Sequence, residues 1–377
     1  MTSQPAQPHA PAGSPAPARA LGGPDTGAAD TTDALVTAHR DGRVGRITLN
    51  RPRAINALNH AMVLRLHEVL ADWERDPRVA AVVLTGAGGR GLCAGGDIRF
   101  FHDDAKDGGA GARAFFRDEY LLNHRIARYP KPYVALMDGL VLGGGVGVSA
   151  HGSVRVVTER SAVGMPETAI GFVPDVGGTW LLAHAPGELG THLALTATRM
   201  TGADALYCGF ADHHLPSERL AAFTAALAER EPAAVVEAFS TPAGPSALAG
   251  QQSWIDRCYA ADTVEEIVAR LLESGLPEAK EAAELIGAQS PTALKVTLAA
   301  LRRARRLPSL EAALDQEFRT SCAGLSSPDF VEGIRAQVVD KDRNPRWSPA
   351  DLGAVPPAEV DRHFAPLADP ADELGLA

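Results

Sequence analysis

Two hydrophobic periodicities alternate along the chain from about residue 34 onward. Continuous or alternating apolar runs are typical of strands, and apolar positions spaced by three and four are typical of helices. The runs predict strands over residues 34–38, 44–50, 79–85, 131–137, 154–158 and 213–215. The stripes predict helices over residues 60–75 (with Asn59 as the N-cap), 112–127, 179–184, 187–196 and 203–208, and residues 102–111 are predicted as a surface loop. We therefore expect an α/β fold.

The two ends of the chain differ from this alternating region. Residues 1–33 are mostly Ala, Pro, Gly, Ser and Thr, and they carry almost no large apolar side chain. Such a segment cannot offset its ordering entropy by burial, so we expect a disordered tail. After residue 240 the pattern becomes helical. The predicted organisation is a tail at 1–33, an α/β core with the active site at 34–240 and a helical region at 241–377.

Composition and charge narrow the classes of function. The chain has 377 residues, 45% of them hydrophobic, which is ordinary for a globular protein. Its formal net charge of −10 argues against nucleic acid and anionic membranes as partners, because both need a basic face. The four cysteines form no CxxC pair, so we expect reduced thiols and no metal site. The N-terminus resembles neither a secretion signal nor a transit peptide, which leads us to expect a cytoplasmic protein.

Two glycine-rich loops follow predicted strands, at residues 94–97 and 143–145. Glycine lets the backbone approach a ligand closely and adopt unusual dihedral angles. Two such loops can each aim one backbone N–H at a carbonyl oxygen that becomes negative during an acyl-transfer reaction. The alternative is that both are only tight turns, and spacing alone does not decide between the two interpretations.

Glu167 and Asp175 lie in a glycine- and proline-rich segment with few other charges. A carboxylate in such a place is poorly hydrated, which points to proton transfer or nucleophilic attack beside the glycine loops. A dinucleotide-binding motif competes, because Gly145 to Ala150 reads G-x-G-x-x-A and Glu167 stands near the expected acidic position. That alternative leaves Asp175 and the first glycine loop without a role.

With these residues in view, the sequence resembles the enoyl-CoA hydratase/isomerase, or crotonase, superfamily over roughly residues 34–220. The motifs that carry the resemblance lie at residues 50–58, 93–98, 143–145 and 166–171. A thioester-hydrolysing branch of the superfamily shares further marks over nearly the whole chain. They are Glu119-Tyr120 with Asn123, and residues 131–136, 151–152, 165–171, 174–178, 332–336 and 340–342.

The resemblance implies a fold and a set of site residues. The implied fold is a spiral of ββα units with a helical C-terminal region. The implied oxyanion hole consists of the backbone N–H groups of Gly96 and Gly144. The implied substrate contacts are Glu119, Gly144, Glu167 and Asp175, together with Arg53, Ala54, Ala94 and Asp97, where the CoA part is expected. CoA belongs to the substrate, so no further cofactor is implied. Related folds often trimerise through their C-terminal helices, which makes a homo-oligomer one expectation, although such a tail can also pack on its own core.

One departure from the wider superfamily points to hydrolysis. Hydratases of this superfamily use two glutamates, and the first of them stands where this chain has Gly147, whereas the second corresponds to Glu167. Asp175 replaces a small residue of hydratases and adds an acid. We therefore expect hydrolysis of a short 3-hydroxyacyl-CoA such as 3-hydroxyisobutyryl-CoA or 3-hydroxypropionyl-CoA.

The role of each acid in that reaction stays open at this point. Glu167 is the general base or the nucleophile. Asp175 binds the substrate hydroxyl, positions water or protonates the leaving thiolate, and Glu119 orients the substrate or the second acid. The alternative activities are hydratase, isomerase or dehalogenase chemistry on another acyl-CoA. A non-catalytic protein that binds a nucleotide or CoA is the alternative from a different class.

Overall fold

The computed structural model describes residues 35–377, so the tail predicted at 1–33 lies outside the described residues. The strands are β1 (Val36–Asp41), β2 (Val44–Leu49), β3 (Ala81–Gly86), β4 (Gly91–Cys93), β5 (Tyr133–Met137), β6 (Leu140–Leu142), β7 (Val154–Val157), β8 (Ala162–Gly164), β9 (Met200–Thr201) and β10 (His213–His214). The helices up to residue 239 are α1 (His60–Arg75), α2 (Ile98–Lys106), α3 (Ala110–Ala127), α4 (Gly144–Gly147), α5 (Gly178–Ala183), α6 (Leu189–Thr196), α7 (Gly202–Tyr207), α8 (Leu220–Glu229) and α9 (Pro232–Phe239).

The remainder of the chain is mostly helical. Its helices are α10 (Ala247–Tyr259), α11 (Val264–Glu273), α12 (Pro277–Gly287), α13 (Pro291–Ala304), α14 (Leu310–Gly324), α15 (Pro328–Ile334) and α16 (Pro357–Arg362). A π-helical turn, Arg335–Val339, continues α15. Pro291 occupies the first turn of α13, where its missing N–H costs nothing, and Ser290 caps the helix by accepting from the Ala293 N–H.

Within residues 35–377 the strands form two sheets. The larger has the order β1-β2-β3-β5-β7-β10, and the smaller has the order β4-β6-β8-β9. From β3 to β8 consecutive strands alternate between the sheets, because β3, β5 and β7 lie in the first and β4, β6 and β8 in the second. Apart from the β1–β2 hairpin and the β8–β9 pair, neighbouring strands run parallel. The repeated step from one sheet to the other produces a spiral of ββα units and brings the loops after β4 and β6 together.

The C-terminal helices pack on the chain's own α/β core. Glu188, at the start of α6, accepts hydrogen bonds from Arg302 at 2.7 Å and from Arg305 at 2.6 Å. This pairing joins α13 to the core and supplies the buried carboxylate with the partners it needs. The homo-oligomer remains a prediction. None of the helices in the described part is long and apolar enough to cross a membrane.

One expectation about secondary structure is wrong, and four short strands were not predicted. Residues 102–106 belong to α2, and α3 begins at Ala110, so most of the predicted surface loop is helical. The reason is tertiary packing: the Phe101 ring meets Phe115 and Phe116 at centroid distances of 4.9 and 5.1 Å, which stabilises a helix without a long apolar stripe. The short strands β4, β6, β8 and β9 also escaped prediction, since two or three residues are too few to display a period.

Candidate active site

A cavity of about 280 Å³ opens between the ends of β4 and β6, the segment 166–175 and the C-terminal helices. The six predicted residues that line it are Ala94, Gly96, Glu119, Gly144, Glu167 and Asp175. An aromatic wall of Phe101, Phe116, Phe172 and Phe330 closes another side. Its rings are in contact, with centroids 5.7 Å apart for Phe116 and Phe172 and 4.7 Å apart for Phe172 and Phe330. The cavity is therefore largely apolar, with a small group of acids on one face.

The two glycine loops meet at the cavity, as an oxyanion hole requires. The Leu58 N–H donates to the Gly95 carbonyl at 2.8 Å, and the Asp97 N–H donates to the Leu58 carbonyl at 2.8 Å. These bonds hold the first loop on both sides of Gly96. A Cβ added to Gly144 would lie 3.4 Å from the Gly96 nitrogen, so the loops are immediate neighbours. Among the hydrogen bonds of the described residues, none uses the N–H of Gly96 or Gly144. Two free donors thus lie together.

Two of the acids lie directly against the glycine triplet. A Cβ on Gly144 would be 2.5 Å from Glu119 Oε1, and a Cβ on Gly143 would be 2.7 Å from Glu167 Oε1. Only glycine leaves room for the carboxyl groups here. Glu119 Oε1 and Glu167 Oε2 are buried and have no hydrogen-bond partner among the described residues. Buried polar atoms normally have partners, so these two oxygens are suited to meet a substrate or a water molecule.

Asp175 completes the acidic face. Only 2% of Glu119, 7% of Glu167 and 6% of Asp175 is exposed, so all three carboxyls are withdrawn from solvent. Burial, with the nearby Asp175 charge as a second cause, raises the pKa of Glu119 and the pKa of Glu167 well above their usual range. Burial also raises the pKa of Asp175 to about 7, although a hydrogen bond from Tyr120 to its Oδ2, at 2.7 Å, opposes the rise. At neutral pH the cluster therefore combines protonated and ionisable acids, which is what proton transfer needs.

The predicted CoA contacts are only partly at the cavity. Ala94 lines it. Arg53 and Ala54 lie on an exposed 3₁₀ turn, Pro52–Ala54, outside the cavity lining. Asp97 is not part of the cavity lining, and its carboxylate pairs with Arg51 at 3.0 Å. The sequence shows that Asp97 directly follows the glycines of the first loop. It does not show that the Asp97 carboxylate pairs with Arg51 in the folded chain. The contact of these residues with CoA remains a prediction.

The motif at residues 50–58 has a clear structural role. Ile55 and Asn56 both have positive φ, at 48° and 56°. The Asn56 side-chain amide donates to the carbonyls of Gly91 and Leu92, at 3.2 and 3.1 Å, and the Ala94 N–H donates to the Ile55 carbonyl at 2.9 Å. These bonds fasten the loop to β4, so the motif fixes the rim of the first glycine loop.

The structure adds residues that the sequence reasoning did not assign to the site. The Tyr120 hydroxyl donates to Asp175 and contacts Ser321 Oγ at 2.7 Å. Glu317, on the same helix as Ser321, accepts hydrogen bonds from the segment after Asp175. Burial raises the pKa of Glu317 to about 8, while the hydrogen bonds from Thr179 and Gly177 favour its ionised form. One signal could have found these residues: Glu317 and Ser321 fall on the apolar stripe of α14, where a solvated acid is not expected.

Position 147 has no space for a side chain. A Cβ added to Gly147 would lie 2.7 Å from Val176 Cβ and 2.8 Å from the Asn123 side-chain nitrogen. Val176 directly follows Asp175, so the segment that brings the additional acid also fills the place of a side chain at 147. The glycine at position 147 and the acid at position 175 are therefore parts of one packing arrangement.

Similarity to known proteins assigns this protein to a family. The chain belongs to the enoyl-CoA hydratase/isomerase family, whose sequence profile matches residues 44–364. Two curated relatives, from Rattus norvegicus and Homo sapiens, are named mitochondrial 3-hydroxyisobutyryl-CoA hydrolase. Each is 41% identical over an alignment that covers 89% of this chain and 90% of the relative.

Two solved structures resemble the protein along most of its length. One, titled a carnitinyl-CoA dehydratase from Mycobacterium thermoresistibile, is 54% identical with a TM-score of 0.88 and covers 91% of this chain and 98% of its own. The other, titled an enoyl-CoA hydratase from Rhodobacter sphaeroides 2.4.1, is 43% identical with a TM-score of 0.84 and covers 90% and 99%. Together with the family profile, they confirm the predicted crotonase-like α/β fold with its helical C-terminal region.

The predicted cytoplasmic location is wrong, because the curated relatives are named mitochondrial enzymes. The prediction relied on the composition of the N-terminal residues and on the cysteine pattern. Compartment is set by address segments that receptors read, and neither the charge of a folded chain nor its thiols reveal it.

Proposed function

We propose that this protein hydrolyses the thioester of 3-hydroxyisobutyryl-CoA to the free hydroxy acid and CoA. The observation that carries the proposal is the cluster of Glu119, Glu167 and Asp175 around two free backbone donors, with no side chain at position 147. The curated relatives confirm the hydrolase class expected from the sequence. We extend the proposal to 3-hydroxypropionyl-CoA as a second substrate and to the degradation of valine as the setting.

The geometry supports a defined sequence of bond changes. The thioester oxygen accepts hydrogen bonds from the N–H groups of Gly96 and Gly144, which stabilise its developing negative charge. Burial raises the pKa of Glu167 well above its usual range, so Glu167 acts after it has lost its proton. As a carboxylate it delivers the oxygen nucleophile, either by deprotonating water or by attacking the carbonyl carbon, from which water later releases the acyl group. The carbon–sulfur bond then breaks, and Asp175 gives its proton to the CoA thiolate. A pKa near 7 suits Asp175 for this donation at neutral pH.

Glu119 has a different task because of its position. Its Oε1 lies against Gly144, so an ionised Glu119 would repel the oxyanion. Burial raises the pKa of Glu119 well above its usual range and so favours the neutral carboxyl. A neutral carboxyl can donate a hydrogen bond to the substrate instead.

Hydration or dehydration of an acyl-CoA is a second candidate, because the two solved structures carry hydratase and dehydratase titles. Water addition in this superfamily depends on a second glutamate at the position of Gly147. The contacts of that position with Val176 and Asn123 leave no room for one. We therefore favour hydrolysis over hydration.

Release of free thiol from 3-hydroxyisobutyryl-CoA, with crotonyl-CoA followed in parallel for loss of its conjugated double bond, tests the proposal. We expect thiol release and no change in crotonyl-CoA. Replacing Glu167 with Gln should lower kcat by at least about 100-fold with little change in KM, since a positioned base contributes 10²–10⁴-fold. The control, Glu159→Gln, changes an exposed glutamate and should retain full activity. Hydration of crotonyl-CoA without thiol release would contradict the proposal.

A further inference from the structure

The turn that carries Asp175 has an unfavourable backbone. Val176 and Gly177 both have positive φ, at 54° and 79°. Glycine adopts such angles readily, but a β-branched valine does not. A non-glycine residue stays in this region only when its surroundings impose the conformation. The turn therefore needs partners that hold it, and they lie on two other elements.

Glu317 of α14 is the main partner. Its two carboxylate oxygens accept from the Gly177 N–H at 2.6 Å and from the Thr179 N–H at 2.8 Å, and the Thr179 hydroxyl also donates to it. Glu317 is completely buried. The His151 ring nitrogen Nε2 donates to the Val176 carbonyl at 2.8 Å from the opposite side. Three backbone groups within four residues of the turn are thus held by side chains.

The same helix also reaches the Asp175 side chain. Ser321, one turn after Glu317, lies 2.7 Å from the Tyr120 hydroxyl. Tyrosine has one hydroxyl proton, and Tyr120 gives it to Asp175, so Ser321 donates to the phenolic oxygen. Helix α14 therefore controls both the backbone after Asp175 and the partner of its carboxyl group.

We propose that Glu317 is a positioning residue for Asp175, which sets the place of this acid by holding the strained turn after it. The proposal rests on the proposed hydrolase function, in which Asp175 is the proton donor. In its ionised form, which the hydrogen bonds from Thr179 and Gly177 favour, Glu317 offers two acceptor oxygens and no donor to groups that are all donors. Glutamine would aim its NH₂ group at one of these N–H groups and loosen the turn.

Steady-state kinetics of Glu317→Gln tests the proposal, with Glu311→Gln as the matched control. Glu311 lies on the same helix and is also a buried, paired acid, but its partners are Arg128 and His124. We expect Glu317→Gln to lower kcat by roughly 100-fold with KM within about twofold, because a small misplacement of a catalytic group slows chemistry more than binding. Glu311→Gln should keep kcat within about twofold of the wild type. An unchanged kcat per folded molecule in Glu317→Gln, or a rise in KM alone, would overturn the proposal.

A second variant and a second measurement guard against misfolding and against failure of the proposed function. Thr179→Val removes only the hydroxyl donor, and its smaller loss of kcat should not add to that of Glu317→Gln, because both act on one turn. Amide hydrogen exchange needs no turnover: exchange at Gly177 and Thr179 should speed up at least about tenfold in Glu317→Gln and stay unchanged in Glu311→Gln. Unchanged exchange would refute the role of Glu317, whereas a wild type that releases no thiol would refute only the hydrolase.

Discussion

Replacing Asp175 with asparagine should raise the free energy of unfolding above that of the wild type, although it removes a catalytic acid. This gain should grow as the pH rises. Asp175 is buried, and the Tyr120 hydroxyl, which donates to its Oδ2 at 2.7 Å, can donate equally to an asparagine oxygen. The substitution therefore keeps the shape and the hydrogen bond while it removes a charge that burial disfavours. Active sites often carry such a stability cost, because their acids are held where water cannot solvate them.

The magnitude follows from the pKa of Asp175. Burial raises it from 3.8 to about 7, and each pKa unit corresponds to about 1.4 kcal/mol, so the ionised group costs on the order of 4 kcal/mol. Below pH 4 the carboxyl is protonated in the folded and in the unfolded chain, and no cost arises. Between pH 4 and pH 7 the unfolded chain ionises first, so stability is lost until the pH passes the folded pKa. The gain from Asp175→Asn in the free energy of unfolding should be about 1–2 kcal/mol at pH 5 and up to about 4 kcal/mol at pH 8.

Urea unfolding at pH 5 and at pH 8, followed by tryptophan fluorescence, measures this difference. Asp212→Asn is a suitable control, because the pKa of Asp212 lies below its usual value. Burial alone would raise this pKa, but the hydrogen bonds from Arg155 outweigh the effect of burial. The ionised Asp212 thus stabilises the fold at both pH values, and its replacement should destabilise the protein at each instead of producing a gain that grows with pH. A gain for Asp175→Asn that does not grow with pH, or a loss at pH 8, would refute the reasoning.

Two further predictions follow from the packing of this region. Gly147→Ala should lower the free energy of unfolding by roughly 1–3 kcal/mol, since its Cβ would lie 2.7 Å from Val176 Cβ. Unchanged urea unfolding would show that the segment around Val176 moves aside without a loss of stability. Tyr120→Phe removes a hydrogen bond that lowers the pKa of Asp175. The pH dependence of kcat/KM that this acid governs should therefore move to higher pH. An unchanged pH profile would show that the Tyr120 contact does not set the pKa of Asp175.

Much of the fold could be predicted from local patterns. The helix capped by Asn59 spans the predicted residues, and the Asn59 side chain accepts from the Met62 N–H as a cap does. The longer strands also lie within three residues of their predicted positions, because each displays enough apolar residues to reveal a period. The two-residue to three-residue strands of the smaller sheet have no such signal. Neighbouring strands and loops define them, so they became visible only in the folded chain.

Some residues of the candidate site could likewise be predicted from the sequence, and others could not. The residue types alone marked the two glycine loops and the acids Glu167 and Asp175, because buried acids and unhindered backbone donors are needed for acyl chemistry. Glu119 entered only through the resemblance to a family, since an acid on an amphipathic helix ordinarily faces water. Its burial and its contact with Gly144 are properties of the packed structure.

The sequence by itself determined the α/β class, the glycine loops and the acids available for chemistry, because these depend on residue type and short-range spacing. Only the tertiary structure decided how those acids behave. The pKa of Asp175 depends on its burial and on Tyr120, and its turn depends on Glu317, which lies more than a hundred residues further along the chain. Contacts at such a separation leave no local pattern, since the chain must fold before the groups meet.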